Sequence, residues 1–349
     1  NNYQLLFQAK KSMFSETFPE ISSKKYFQSP YSNFRFRAEF NLIKEKGKIY
    51  FAMTSDGKKQ KIETFPIASQ RIQDLMPPLL DQINKNFSIS NKLFQVEFQS
   101  SRNEEAVITL VYHRKLDVDW QTIASDISKE LCVSIVGRSK KEKIIVGNNF
   151  VTETYGFAEK KFQLNLYEQC FSQTNPYICD HMLNWVVEKS YAEADVMELH
   201  CGQGTFTMLL SKLYRQVLAT ENSRPSFSAL KENIKLNKRN NIQVGRLSGR
   251  ETIEAYKGQR NFTRLNEVNL EEFEIQTVFL DPPRDGLDQF TKNSLGEIKN
   301  IIYISCGFDS FKEDLIQLQK THELLHLAMF DQFPYTDHIE SGAILKKRI

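Results

Sequence analysis

From about Leu166 to its end the sequence keeps returning to one unit, a short apolar run followed by a helix-length segment, and few folds are open to such a chain. The runs at 195–200, 217–221, 242–245, 276–280 and 300–305 predict buried strands. The segments near 176–189, 205–214, 225–237, 289–298 and 308–319 predict helices, the first with Asn175 as N-cap and Pro176 in its first turn. Strands joined by helical crossovers lie parallel in one sheet. A closing pair of runs near 324–330 and 342–347 has no helix between its members and predicts a terminal antiparallel hairpin. The expectation for 166–349 is therefore an α/β domain: a mostly parallel sheet, helices on both faces, and that hairpin.

Residues 1–165 read differently. Phe34, Phe36 and Ala38 alternate ahead of strand-like text broken at Lys46-Gly47 and Asp56-Gly57, which predicts antiparallel hairpins with tight turns. A helix near Gln70–Asn84, strands near Leu93–Gln99 and Ala106–His113, a helix near Trp120–Leu131 and a strand at Ser134–Gly137 complete an α+β domain.

Charge divides along the same line. Residues 1–150 hold 23 Lys/Arg against 16 Asp/Glu, and the remainder 23 against 27, so the net +3 conceals a basic front and an acidic back. A basic front suits a nucleic-acid partner, although a solvated face gives the same count. No apolar run approaches the roughly 20 residues that cross a bilayer. The first ten residues lack the features of a secretory signal, so a cytoplasmic location is expected. The five cysteines (Cys132, Cys170, Cys179, Cys201, Cys306) contain no C-x-x-C pair; free thiols are expected, and no metal.

The carboxyl ends of the predicted parallel strands collect the residues with chemical potential, because ligands of open α/β sheets bind at that edge. The first strand runs into Gly202-Gln203-Gly204 and a helix; the third position of a dinucleotide fingerprint is Thr207, which disfavours NAD or FAD. Glu221 ends the next strand, 19 residues after Gly202, where an acid receives ribose hydroxyls. Together they favour an adenosine-containing cofactor, although a Gly-x-Gly can be an ordinary turn and Glu221 a solvated charge. Asp281-Pro282-Pro283 stiffens the end of another strand, and Arg284 then offers planar donors suited to carbonyl oxygens such as those of uracil. Cys306 follows an apolar strand and precedes a helix whose first amides suit a thiolate. Cys132 and Cys170 read as packing.

In order along the chain, "SPYSNFRFRAEF" (29–40), "TFPIAS" (64–69), "KLFQ" (92–95), "FSQTN" (171–175), "ELHCGQG" (198–204), "DPPRDGL" (281–287), "YISC" (303–306) and "FDQFPYTDHIESG" (330–342) give a sequence that resembles the tRNA (uracil-5-)-methyltransferases of the TrmA type, within the RNA 5-methyluridine methyltransferase class. The resemblance implies a Rossmann-like class I methyltransferase domain over 166–349 behind an RNA-binding domain over 1–165. It implies Cys306 as nucleophile and Glu340 as base. It further implies Gln173, His200, Gly202, Gly204, Thr205, Glu221 and Asp281 at S-adenosyl-L-methionine, and Phe94 and Arg284 around the target uracil. The implied substrate is the T-loop uridine 54 in the T-arm of tRNA, and the implied enzyme a monomer. His200 and Thr205 stand where close relatives tend to carry Tyr and Asn, Gly307-Phe308 replaces Asn-Pro, and Ser341 replaces a common Cys. Two alternatives stay open: the same chemistry on ribosomal or other structured RNA, and a tRNA-binding folding factor with a weak catalytic site.

Overall fold

The computed structural model describes residues 2–55, 57–140, 142–191 and 193–348. It divides into two compact units. One comprises Asn1–Ser29, Tyr155–Leu164 and Cys170–Ile349; the other comprises Pro30–Thr154 and Asn165–Gln169. This corrects the expected boundary at 165/166, because the chain up to Ser29 packs with the C-terminal sheet.

The physical reason is a helix and a strand that the pattern reading passed over. Helix Asn2–Thr17 buries Tyr3, Phe7, Lys10 and Phe14, a 4-3-4 spacing that keeps one face inward. Its apolar stripe is interrupted by a lysine, so the helical period is faint in the sequence. Strand Lys24–Phe27 then pairs parallel with His322–Phe330 at the sheet edge.

The sheet of this unit has eight strands, in the order Lys24–Phe27, His322–Phe330, Glu340–Lys347, Asn300–Ser305, Ile275–Leu280, Asp195–Leu199, Val217–Thr220 and Ile242–Gly245. Only Glu340–Lys347 runs against its neighbours, forming the terminal antiparallel hairpin with His322–Phe330. Both faces are covered. Met197, Val278, Leu280, Ile301 and Tyr303 form a core with Phe7, Phe14, Ile253, Phe311 and Leu315 from helices on one side. On the opposite parity Phe279 meets Phe206, and Phe330 meets Trp185 edge-on. The expected helix at 289–298 is a short helix, Gln289–Ser294, that tightens into a 3-10 turn at Leu295–Glu297. Helix Gly249–Tyr256, held by a Ser248/Glu251 capping box, has no counterpart in the sequence reading.

The other unit is α+β, as expected. Its seven-stranded sheet follows the order Lys58–Lys61, Lys48–Ser55, Arg37–Glu45, Leu93–Ser100, Ala106–Tyr112, Ser134–Ser139, Glu142–Val146. All pairs are antiparallel except Ala106–Tyr112 with Ser134–Ser139, which helix Val118–Leu131 connects. Lys46 and Gly47 turn the first hairpin with φ of 47° and 83°, the double positive φ of a two-residue turn. Gly57 also has positive φ; Asp56, the other half of the second expected turn, lies outside the described residues.

Candidate active site

Strand register builds the site. Leu280 pairs with Tyr303 and Leu199 with both Leu280 and Thr220, so these neighbouring parallel strands end level with one another. Their next residues, Glu221, His200 and Asp281, line one carboxyl edge together with Cys306. The antiparallel strand starts at this same edge: Ser305 pairs with Ser341, which brings Cys306 opposite Glu340. A thiol and a carboxyl distant in sequence are thus neighbours by sheet geometry alone.

The local electrostatics are unusual. Burial pushes the Cys306 thiol up to about 11, Glu340 and Asp281 push in the same direction, and Arg284 opposes them. Glu340, only 2% exposed, is raised by burial and by Asp281 to about 8, again against Arg284. Burial raises Asp281 to about 7. Helix Phe308–Leu318 begins two residues after Cys306, while burial and two carboxyl neighbours oppose a thiolate there. Arg284 is exposed, and its backbone is clamped. Its carbonyl accepts from Ser310 Oγ at 2.7 Å and lies where a Cβ on Gly307 would come within 2.3 Å, so only glycine fits at 307 with this loop geometry.

Farther along the edge, Gly202 and Gly204 both have positive φ, and a Cβ on Gly204 would strike Leu230. The Gly202 amide donates to Glu221 Oε2 at 3.0 Å and the Ser223 amide to Oε1 at 2.6 Å, which fixes the carboxylate beside the glycine turn. Thr205 opens the helix that follows. His200 also has positive φ, and burial lowers its imidazole, so its ring is neutral at pH 7; its Nε2 faces Gly249, where a Cβ would come within 3.1 Å.

The segment 171–175 joins the two ends of the site. Gln203 Nε2 donates to the Phe171 carbonyl, and Gln332 Nε2 donates to Gln173 Oε1, both at 2.7 Å. The expected residues Gln173, His200, Gly202, Gly204, Thr205, Glu221, Asp281, Arg284, Cys306 and Glu340 all belong to this one unit. Phe94 belongs to the other unit, where it sits at a β-bulge and stacks on His113 with ring centroids 3.9 Å apart. Sequence reasoning missed Glu198, which is buried beneath Asp281 and Glu221 and raised to about 8, and missed Lys10, Asp331 and Gln332. The last two stand within the quoted "FDQFPYTDHIESG", where their acid and amide in an otherwise apolar start were the available signal. Among the described residues no group of three or more His, Cys, Asp or Glu is placed to hold a metal ion, and no helix is long and apolar enough to cross a membrane.

Sheet order of this kind is that of the Rossmann-like methyltransferase fold, and the fold comparison agrees. The solved Pyrococcus abyssi tRNA (uracil-54, C5)-methyltransferase in complex with S-adenosyl-L-homocysteine superposes with a TM-score of 0.73 at 19% identity, over 98% of this chain and 83% of that one. The sequence settles the family within that class: the tRNA (Uracil-5-)-methyltransferase model matches residues 2–348, and the chain belongs to that family. It is 39% identical to a tRNA/tmRNA (uracil-C(5))-methyltransferase of Acinetobacter baumannii over 99% of both chains. It is 37% identical to one of Neisseria meningitidis over 100% of this chain and 99% of that one.

Proposed function

We propose that the protein methylates carbon 5 of uridine 54 in the T-arm of tRNA, using S-adenosyl-L-methionine, with Cys306 as covalent nucleophile and Glu340 as base. The observation that carries this reading is the register that sets Cys306 against Glu340 at the carboxyl edge of the sheet. The relatives' tRNA/tmRNA activity supports the substrate. The protein acts as a cytoplasmic monomer, with Pro30–Thr154 gripping RNA through its cations and Phe94 near the extruded base.

The edge residues fit the cofactor. Bare backbone at Gly202 admits close approach, Gly204 lets the turn pack on Leu230, Glu221 keeps lone pairs for ribose hydroxyls beyond its two amide bonds, and Gln173, His200, Thr205 and Asp281 complete the wall. When bound, S-adenosyl-L-methionine supplies an electrophilic methyl group. Carbon 5 of uracil is a weak nucleophile, so the Cys306 thiolate first adds to carbon 6, forming an S–C bond and moving an electron pair toward carbon 5 and the carbonyl oxygen on carbon 4. Arg284 donates to that oxygen. Once carbon 5 is methylated, the Glu340 carboxylate removes its hydrogen; that electron pair restores the ring double bond as the S–C bond breaks and the thiolate leaves. This route requires no metal ion.

Unmodified tRNA transcript incubated with methyl-labelled cofactor should acquire one 5-methyluridine, at position 54. Absence of transfer, or label at another atom or position, would overturn the reading.

A further inference from the structure

The loop that delivers Glu340 is held from outside the sheet by a buried lysine. Residues 331–339 connect His322–Phe330 to Glu340–Lys347, and Phe330 pairs with Glu340 at the mouth of the loop. Lys10, on helix Asn2–Thr17, reaches into this loop and is only 6% exposed. An ammonium has three protons, and each finds an acceptor there: Asp331 Oδ1 at 2.7 Å, the Phe333 carbonyl at 3.0 Å and the His338 carbonyl at 2.9 Å. Those acceptors come from both ends of the loop, the last only two residues before Glu340. Asp331 is fully buried, and its second oxygen accepts from Tyr3 Oη at 2.7 Å. That phenol oxygen in turn accepts from the Ser29 amide at 3.0 Å, and the Tyr3 ring lies 5.5 Å from that of Tyr335, which sits at a positive φ in the loop.

A buried ion pair adds little net stability over an apolar packing of equal volume. What a charged hub of fixed geometry provides is direction: three donors bring two chain segments into one arrangement. We infer that Lys10, anchored by Asp331 and Tyr3, is a positioning residue that sets the Glu340 carboxylate for proton removal, so that the N-terminal helix is part of the working site. The inference rests on the proposed role of Glu340 as base. Lys10 touches no reacting atom. Its loss is expected to spare the addition of Cys306, which stands on the other strand, and to slow the later elimination.

The test uses the full chain carrying Lys10→Met together with Asp331→Asn, which removes both charges and strands neither, and separately Tyr3→Phe, which keeps the ion pair. Two rates are compared. Covalent trapping on 5-fluorouridine tRNA reports addition and methyl transfer, because fluorine blocks elimination. Release of methylated ordinary tRNA reports elimination. For the double variant, trapping should stay within about threefold of wild type while release slows on the order of ten- to a hundredfold, the effect expected of a base displaced by about an ångström. A methylated enzyme–RNA adduct should then be visible on denaturing gels, and Tyr3→Phe should show the same split to a smaller extent. Proportional loss of both rates, or no change in either, would overturn the inference; if the double variant does not fold, the ratio in Tyr3→Phe decides. Glu340→Gln is run in parallel. Wild-type release from that variant would refute the base itself, whereas an adduct there and none in the Lys10 variants would refute only the positioning role.

Discussion

Replacing Glu340 by Gln should uncouple stability from catalysis, in opposite directions. Burial and Asp281 disfavour the charge of this carboxyl and push it up from an ordinary 4.5 to about 8. Between those two values the unfolded chain has released a proton that the folded chain keeps, so the folded state binds more protons and stability falls as pH rises. At pH 7 the accumulated penalty is on the order of 3–4 kcal/mol, from roughly 2.5 pH units at about 1.4 kcal/mol each. A glutamine has the same shape and never ionises, so Glu340→Gln should match wild type near pH 4 and exceed it by a few kcal/mol at pH 7. Urea denaturation at the two pH values measures this. Catalysis should move the other way: removing a general base slows its step by roughly 10² to 10⁴, which is about 3–5 kcal/mol of barrier. Since that step follows methyl transfer, labelled methyl should remain on a covalent enzyme–RNA species that survives denaturing electrophoresis. Equal stability at both pH values would refute the burial argument, and rapid release of methylated tRNA would refute the assignment of the base.

Other changes are expected to fail in distinct ways. Cys306→Ala should bind tRNA yet form no adduct with ordinary or 5-fluorouridine transcripts, as gel shift and denaturing gels together report. Glu221→Ala should weaken S-adenosyl-L-methionine by roughly 1–3 kcal/mol in calorimetry, through lost ribose bonds and a glycine turn released from its carboxylate anchor. Arg284→Ala removes the cation that restrains both Cys306 and Glu340, so the pH at which single-turnover trapping is half-maximal should rise; an unchanged profile would place the guanidinium elsewhere in the RNA complex. Salt should weaken tRNA binding steeply, and neutralising the exposed hairpin lysines Lys46, Lys48, Lys58 and Lys59 should lower the slope by about one for each phosphate that they neutralise in the complex. Arg37 is a poorer target: it donates to the Glu168 carbonyl at 2.7 Å and faces Glu97, so its loss should first cost stability.

The site was legible wherever one residue's chemistry coincided with a strand end. Glu221, Asp281 and Cys306 all follow apolar runs, and a parallel sheet brings such positions to one edge regardless of how far apart they lie in the chain. Glu340 was not legible in this way. It begins a strand instead of ending one, and only antiparallel register makes the start of one strand neighbour the end of another. Resemblance supplied what pattern did not. The N-terminal helix was illegible for a related reason: Lys10 occupies an inward position, so the apolar stripe that announces a helix is broken by the residue that ties the helix to the loop. The 1–165 boundary failed with it, because a chain that opens with structure belonging to a later sheet cannot be divided by sequence order.

The charge state of the resting site bears on the order of events. Burial raises Cys306, Glu340 and Asp281 alike, and the carboxyls raise Cys306 and Glu340 further, so the resting edge favours the protonated forms. Forming a thiolate there is opposed by each carboxylate that ionises, so a site prepared as a full set of anions would suppress its own first step. The arrangement instead favours sequence. Cys306 gives its proton to solvent before it adds, the negative charge passes from sulfur onto the uracil ring, where Arg284 can meet it, and Glu340, its own proton lost to solvent, takes the carbon 5 hydrogen once the ring has been methylated. Burial, which looks like a handicap for a nucleophile and a base considered singly, disfavours charging the two at the same time. Arg284 is the exposed element of the set, free to reach an incoming ring while its backbone stays clamped against Gly307 and Ser310.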